Sequence, residues 1–218
     1  EEAGRRSVSV TAPDNDALIA VYDRDARRLR TEWSAGADSA THSDKFIDFH
    51  TPYLPTNGGH ALDIGAGYGA HVNGLEERGL TVVAVEPAAG MRVEARTLYP
   101  NSPATWLDDR LPDLAKVHAL GRKFDFMLMN SVWMHLPPDL RDQGMASLAA
   151  LLAPGGRFSV LLRHGPAPAD RPMYESDTEP FLTLAEARGL TPIYRKENRD
   201  ELERDRVSFT RLILTKSG

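Results

Sequence analysis

The sequence contains no cysteine, which removes thiol nucleophiles, disulfides, iron–sulfur clusters and cysteine-ligated zinc from consideration. Long hydrophobic runs are missing as well. No stretch approaches the roughly 18 apolar residues of a membrane span, and no basic-then-apolar signal segment opens the chain. There is no basic excess: 26 Lys and Arg stand against 31 Asp and Glu, a formal net charge of −5. Nothing therefore draws the chain as a whole to nucleic acid or to an anionic membrane. Internal repeats and low-complexity tracts are also absent. The expectation is a cytoplasmic protein; the chain opens on Glu1 rather than Met, so a short leader or tag is expected to have been removed.

What is present describes an ordinary soluble globule of 218 residues, 41% hydrophobic and 26% charged, enough for one domain with a small appendage. Residues 1–55 read as a loose start followed by a helical cap, and 56–218 as the main domain. Within the cap, Asp14 to Asp16 can initiate a helix whose Leu18, Ile19, Tyr22, Ala26 and Leu29 recur at three- and four-residue steps. Tyr22 is either packing on that face or part of a lid. After a flexible connection at 36–41, Phe46, Phe49, His50 and Tyr53 continue a second helix, ended by Pro55 and Gly58-Gly59. From residue 60 strands and helices alternate. Strands are predicted at 60–64, 81–85, 103–107, 124–130, 157–163, 190–195 and 207–215, and helices near 69–78, 88–98, 112–120, 139–152 and 176–188. Alternation of this kind implies an α/β fold whose mainly parallel sheet is covered on both faces. The stretch 197–206 is too short and charged for a packed crossover, so the final strand is expected to be antiparallel.

The most informative run is Ala61-Leu-Asp63-Ile-Gly65-Ala66-Gly67-Tyr-Gly69, a buried strand entering a glycine-lined turn that a nucleotide-like ligand can approach closely. An amphipathic segment and a second apolar strand follow, ending at Glu86, an acid placed to bind vicinal ribose hydroxyls. In an open parallel sheet, ligands collect beyond the carboxyl ends of the strands. That rule selects Asp63 to Gly69, Glu86, Asp108-Asp109, Asn130-Ser131 and Arg163-His164. Asp63 can orient the turn or receive an ammonium group. Dinucleotide binding is a rival reading, since Gly65-x-Gly67-x-Gly69 differs from Gly-x-Gly-x-x-Gly by one position and Ala70 is small.

Five ordered segments resemble the class I S-adenosylmethionine-dependent methyltransferases, small-molecule type. They are Asp63-Ile-Gly65-Ala-Gly67-Tyr-Gly69, Val85-Glu86-Pro87, Trp106-Leu-Asp108-Asp109, Phe124 to Pro137, and Leu152-Ala-Pro154-Gly155-Gly156. The resemblance covers about residues 60–215 and implies a Rossmann-like, seven-stranded sheet of order 3-2-1-4-5-7-6 with an antiparallel last strand. It also implies that S-adenosyl-L-methionine is bound. Gly65, Ala66, Gly67 and Gly69 would then face its methionine part, with Asp63 near the ammonium and Asn130 alongside. Glu86 would hold the ribose, Pro87 and Ala88 to Met91 would flank the adenine, and either Asp108 or Asp109 would accept from the adenine amino group.

Methyl transfer from a sulfonium asks chiefly for alignment of an electron pair behind the carbon. His135, just beyond the fourth strand, is the leading base candidate, against a structural role. His164, Arg163 and Tyr174 are further substrate-side candidates, Arg163 for a carboxylate or phosphate or else for a local Asp. Trp133 is an aromatic wall or core, and His42 and His50 belong to the cap. No spacing among the histidines makes a metal site. Asn130-Ser131-Val132-Trp133 lacks the Asn/Asp-Pro-Pro-aromatic arrangement of many DNA amine methyltransferases, and without cysteine covalent pyrimidine methylation is excluded. The expected acceptor is a small molecule, methylated on oxygen or nitrogen and enclosed by residues 14–55 and 164–176, in a monomer or homodimer. Alternatives are an enzyme that uses the same cofactor without methylating, such as a cyclase releasing methylthioadenosine, a non-catalytic cofactor-binding partner subunit, and an NAD reductase.

Overall fold

The computed structural model describes residues 15–35, 39–200, 204 and 206–217, with the side chains of 35 and 39–44 outside the described part. The loose start expected for 1–14, the cap position Asp14 and the side chain of His42 therefore lie outside the described residues. Helices α1 (Asn15–Ala35) and α2 (Ser39–His50) precede the alternating units. These run β1 (Gly59–Ile64), α3 (Val72–Glu77), β2 (Leu80–Val85), α4 (Ala89–Leu98), β3 (Thr105–Leu107), α5 (Ala115–Ala119) and β4 (Phe124–Asn130). Then follow α6 (Arg141–Leu151), β5 (Leu152–His164), α7 (Thr178–Glu186), β6 (Leu190–Arg199) and β7 (Ser208–Lys216). The strands form one seven-stranded sheet of order β3-β2-β1-β4-β5-β7-β6, with β7 antiparallel to both neighbours.

Period-two alternation divides the strands between two cores. Leu62, Ile64, Val83, Val85, Met127 and Met129 face one core with α5, α6 and α7, through Val117, Met145, Leu148 and Phe181. Ala61, Val82, Ala84, Phe126 and Leu128 face the other, under Phe46 and Ile47 of α2 and Val72 and Leu75 of α3. A smaller cluster joins Ala26 and Leu29 of α1 to Ala88 and Met91 at the start of α4, and the Gly90 N–H donates to the Asp23 carboxylate there.

Several element ends differ from the sequence expectation, for local reasons. Helix α3 starts only at Val72, after the positive-φ turn through Gly69. Helix α5 starts at Ala115 rather than 112, because Leu114 sits at φ 48 in left-handed conformation. Strand β5 begins at Leu152, paired with Phe124, and resumes at Arg157 opposite Phe126 across a register shift. Strand β6 runs on to Arg199 because its polar end pairs with Ser208 in the β6–β7 hairpin. Helix α2 stops at His50, and Phe49-to-Tyr53 continues through a 3₁₀ turn at Thr51–Tyr53.

His50 pins α2 to the sheet. It is fully buried; its Nδ1 lies 2.6 Å from the Phe46 carbonyl and its Nε2 2.7 Å from Ser159 Oγ on β5. Because a carbonyl only accepts, Nδ1 carries the proton and Nε2 accepts from the serine hydroxyl. Burial pushes the imidazole pKa down to about 3, so the folded state keeps it neutral while the unfolded chain takes up a proton near pH 6.5. Its contribution to stability is complete above that value and is lost, by at most about 1.4 kcal/mol per pH unit, as pH falls toward 3. His50→Gln is expected to cost about 1–3 kcal/mol at neutral pH, with a deficit that shrinks between about pH 6.5 and 4.5. Urea unfolding midpoints across that range check this, and a constant deficit contradicts it.

Candidate functional site

The order of the sheet places a reversal between β1 and β4, and a cavity of about 580 Å³ opens beyond the carboxyl ends of these strands. Its first wall is the turn after β1. Gly65 N and Ala66 N both donate to the Val85 carbonyl, at 2.8 and 2.9 Å, which ties the turn to the end of β2. Gly65 takes φ 69, and a Cβ built on it would stand 2.4 Å from Val132 Cγ2. Gly67 takes φ 56, and a Cβ there would meet nothing within 4 Å. Gly65 thus serves packing against the β4 exit, whereas Gly67 leaves its space to the cavity. Gly69 lies beneath the Trp106 ring and outside the cavity lining.

Two acids stand behind this turn. Glu86 is buried at the tip of β2, where its Oε2 accepts from Gly67 N at 2.9 Å and its Oε1 from Ala88 N at 2.8 Å. Arg92 braces the same exit by donating to the carbonyls of Glu86 and Pro87. Asp63 is 1% exposed, and its Oδ2 has no hydrogen-bond partner. Burial, and then the nearby Glu86 charge, push its pKa up to about 7; Glu86 is raised by burial too, against the two N–H groups it accepts. Asn130 adds another buried acceptor without a partner, its Oδ1. Pro87 and Met91 complete this side of the lining.

The two acids after β3 have separate environments. Asp109 lines the cavity, yet its carboxylate is occupied by N–H groups of Arg110, Lys116 and Val117 and so anchors the start of α5. Asp108 is exposed outside the lining and pairs with Arg92 at 3.3 Å.

On the opposite side, His135 lines the cavity from the 3₁₀ turn Trp133–His135, and its Nε2 lies 3.0 Å from the Tyr22 hydroxyl of α1. Burial, followed by the charges of Arg171 and Arg163, lowers its pKa to about 4. The imidazole is neutral at ordinary pH. Tyr22 is raised by burial and holds its proton. Arg163, 6% exposed at the end of β5, also lines the cavity. His164 and Tyr174 do not: His164 Nε2 faces Thr210 Oγ1 at 2.8 Å, and Tyr174 is held through its N–H to the Met134 carbonyl. Trp133 is core, edge-on to Phe181.

Sequence reasoning did not place Arg171, Arg199, Arg204 or Arg211 at the site and gave Phe46 only as part of the second helix, yet all five line the cavity. The dense arginines of 195–211 were the available signal, but their meeting depends on the β6–β7 hairpin folding back beside β5. Among the described residues, no group of three or more His, Asp or Glu side chains is placed to hold a metal, and no helix is long and apolar enough to cross a membrane.

The reversal, the glycine turn and the buried acid at the tip of β2 lie within the part of the chain that similar proteins share. Residues 62–160 match the family model described as a methyltransferase domain. An uncharacterised methyltransferase of Mycobacterium tuberculosis, Rv3342, is 31% identical over 108 residues, which are 50% of this chain and 41% of that relative. The match thus spans less than half of the curated relative's length. Among solved structures, Burkholderia thailandensis 1,6-didemethyltoxoflavin-N1-methyltransferase, with bound 1,6-didemethyltoxoflavin and S-adenosylhomocysteine, superposes with a TM-score of 0.71 at 22% identity, covering 98% of this chain and 94% of that one. The [4+2]-cyclase SpnF also gives a TM-score of 0.71, at 12% identity over 94% of this chain and 98% of its own. At these identities the likeness is one of fold.

The two glycines make different demands. Gly67→Ala is expected to cost about 1–2 kcal/mol for the left-handed conformation alone. Gly65→Ala is expected to cost about 1–3 kcal/mol more, because Val132 must also move. Denaturant unfolding of the two variants checks the order, and equal losses contradict it.

Proposed function

We propose that this cavity binds S-adenosyl-L-methionine and that the chain transfers its methyl group to an oxygen or nitrogen of a small-molecule acceptor. The observation that carries the reading is the buried pair Asp63 and Glu86 beside the open space at Gly67. A buried carboxyl whose pKa is raised by burial and by the neighbouring Glu86, and whose Oδ2 has no partner, suits a cationic ligand carrying an ammonium group. The residues fit the cofactor: Asp63 and Asn130 offer acceptors to its ammonium, and Glu86 has lone pairs left for ribose hydroxyls while holding Gly67 and Ala88. Pro87 and Met91 give an apolar seat for the adenine, with Asp108 or Asp109 nearby for its amino group. The methyltransferase bound to S-adenosylhomocysteine supports this reading.

When bound, the cofactor supplies a methyl group activated by its sulfonium. The chain's own part is to bind, align and manage one proton. Tyr22 and His135 are placed for that proton: the Tyr22 hydroxyl can receive it from the acceptor while donating its own to His135 Nε2. Arg163 faces the same space, whereas His164 and Tyr174 serve it only from outside the lining. Among the described residues of the 1–55 cap, helix α1 through Tyr22 and helix α2 through Phe46 line the cavity. One observation favours a second reading: a [4+2]-cyclase shares this fold, so fold alone does not select methyl transfer. Incubation with methyl-labelled cofactor decides between them. Label on an acceptor supports methyl transfer, release of methylthioadenosine without it supports a cyclase that closes a ring at the cofactor's expense, and a cyclised substrate with the cofactor intact supports a [4+2]-cyclase.

Two further outcomes are expected. With Asp63 near pH 7, binding of an ammonium releases a proton at lower pH. Affinity for S-adenosylhomocysteine should therefore rise by up to about tenfold per pH unit toward pH 7 and level off above it. Asp63→Asn should bind more weakly and flatten the dependence, both read by calorimetric titration; an unchanged slope contradicts the assignment. Tyr22→Phe and His135→Ala should each lower kcat by about 100-fold or more while leaving S-adenosylhomocysteine affinity in place. Unaltered turnover in both rejects the proton path.

A further inference from the structure

The charges lining the cavity are unevenly divided, with Arg110 beside the acids and Asp200 among the arginines as exceptions. Asp63 and Glu86 stand at the tips of β1 and β2, while Arg163, Arg171, Arg199, Arg204 and Arg211 come from β5, the loop after it and the β6–β7 hairpin, across the β1–β4 reversal. Two of these guanidiniums lack strong counter-charges. Arg163 donates to the carbonyls of Gly165 at 3.2 Å and Pro166 at 2.8 Å, and among the described residues no carboxylate is within ion-pair range of it. The acid of the hairpin, Asp200, is gripped by Arg204 through two 2.7 Å bonds. Arg171, with only 12% of its side chain exposed, has a loose 3.5 Å pair with Asp170, which also serves Arg28 at 3.3 Å. Arg171 reaches the Tyr22 hydroxyl as well, and Tyr22 reaches His135.

A guanidinium has five N–H donors in a planar fork that matches an oxyanion. Half-used forks on a concave wall, with little charge of opposite sign, form an anion receptor, because a buried unpaired cation is costly until it is matched. We propose that the acceptor carries an oxyanion, a carboxylate or a phosphate, received by Arg163 and Arg171 beside Tyr22 and His135. This rests on reading the cavity as the acceptor site of a methyltransferase. The excess of acids on one side and of arginines on the other then favours the cationic cofactor and the anionic acceptor on their own sides.

Calorimetric titration of the full chain with benzoate, phenyl phosphate and neutral benzamide, with and without saturating S-adenosylhomocysteine, tests it. One of the acids should bind about tenfold or more tightly than benzamide, and the preferred acid identifies the oxyanion. Arg163→Gln and Arg171→Gln should each weaken that acid by about tenfold and leave benzamide and S-adenosylhomocysteine nearly unaffected. Arg163 also holds the start of its loop, so Arg171→Gln carries the test if the first variant fails to fold. Absence of acid binding, equal binding of acid and amide, or acid binding unmoved by Arg171→Gln overturns the proposal. Loss of S-adenosylhomocysteine binding by the native chain would instead strike the cofactor reading, and the titrations without it would still read the arginine site.

Discussion

The Glu86 carboxylate is the tie on which the rest of the site depends. With one oxygen on Gly67 N and the other on Ala88 N, it joins the turn after β1 to the entrance of α4. The turn is fixed from below as well, since Gly65 and Ala66 share the Val85 carbonyl. A backbone turn rich in positive φ has many conformations to lose, and three bonds to the β2 exit confine it to one. The same tie sets Asp63 beside a second buried acid, so the geometry that orders the loop also creates demand for a cation.

Opposite that acid pair, the cavity is built from elements far apart in sequence. Tyr22 from α1, His135 from the β4 exit, Arg163 from β5, Arg171 from the following loop and Arg211 from β7 converge only because the reversal at β1–β4 leaves a gap there. The uneven division of charge across the gap follows from the strand order, with Asp63 and Glu86 on the β2–β1 side and five guanidiniums, joined by Asp200, on the β5–β7–β6 side. Arg163 and Arg171 also hold His135 neutral, in addition to its burial. The resting pair is thus a neutral imidazole bonded to a protonated phenol.

Much of the fold was legible. Strand 124–130 and its apolar run coincide with β4, and the order of the sheet agrees with the resemblance carried by Asp63 to Gly69 and Val85 to Pro87. Of the cofactor-side residues, Asp63, Gly65, Ala66, Gly67, Glu86, Pro87, Met91, Asp109 and Asn130 line the cavity, all close to strand ends. The register at Asp108-Asp109 was not legible, because the carboxylate of Asp109 is drawn to N–H groups at the start of α5 and a left-handed Leu114 moves that start to Ala115. Substrate-side residues were harder to find. His164 and Arg163 are adjacent in sequence, but strand alternation sends one toward Thr210 and the other into the cavity.

By itself, the sequence determined the alternation of strands and helices, the glycine turn and the acid at the tip of the second strand. Each of these is written in local spacing and in the conformations that short segments allow. Only the tertiary structure decided which side chains face one another across the gap, that Gly65 serves Val132 while Gly67 leaves open space, and that the arginines gather opposite the acids. Those facts depend on strand order and on the hairpin folding back beside β5, which bring together residues more than a hundred positions apart, such as Tyr22 and His135. Periodicity carries no record of such long-range meetings, because it is set by neighbours along the chain.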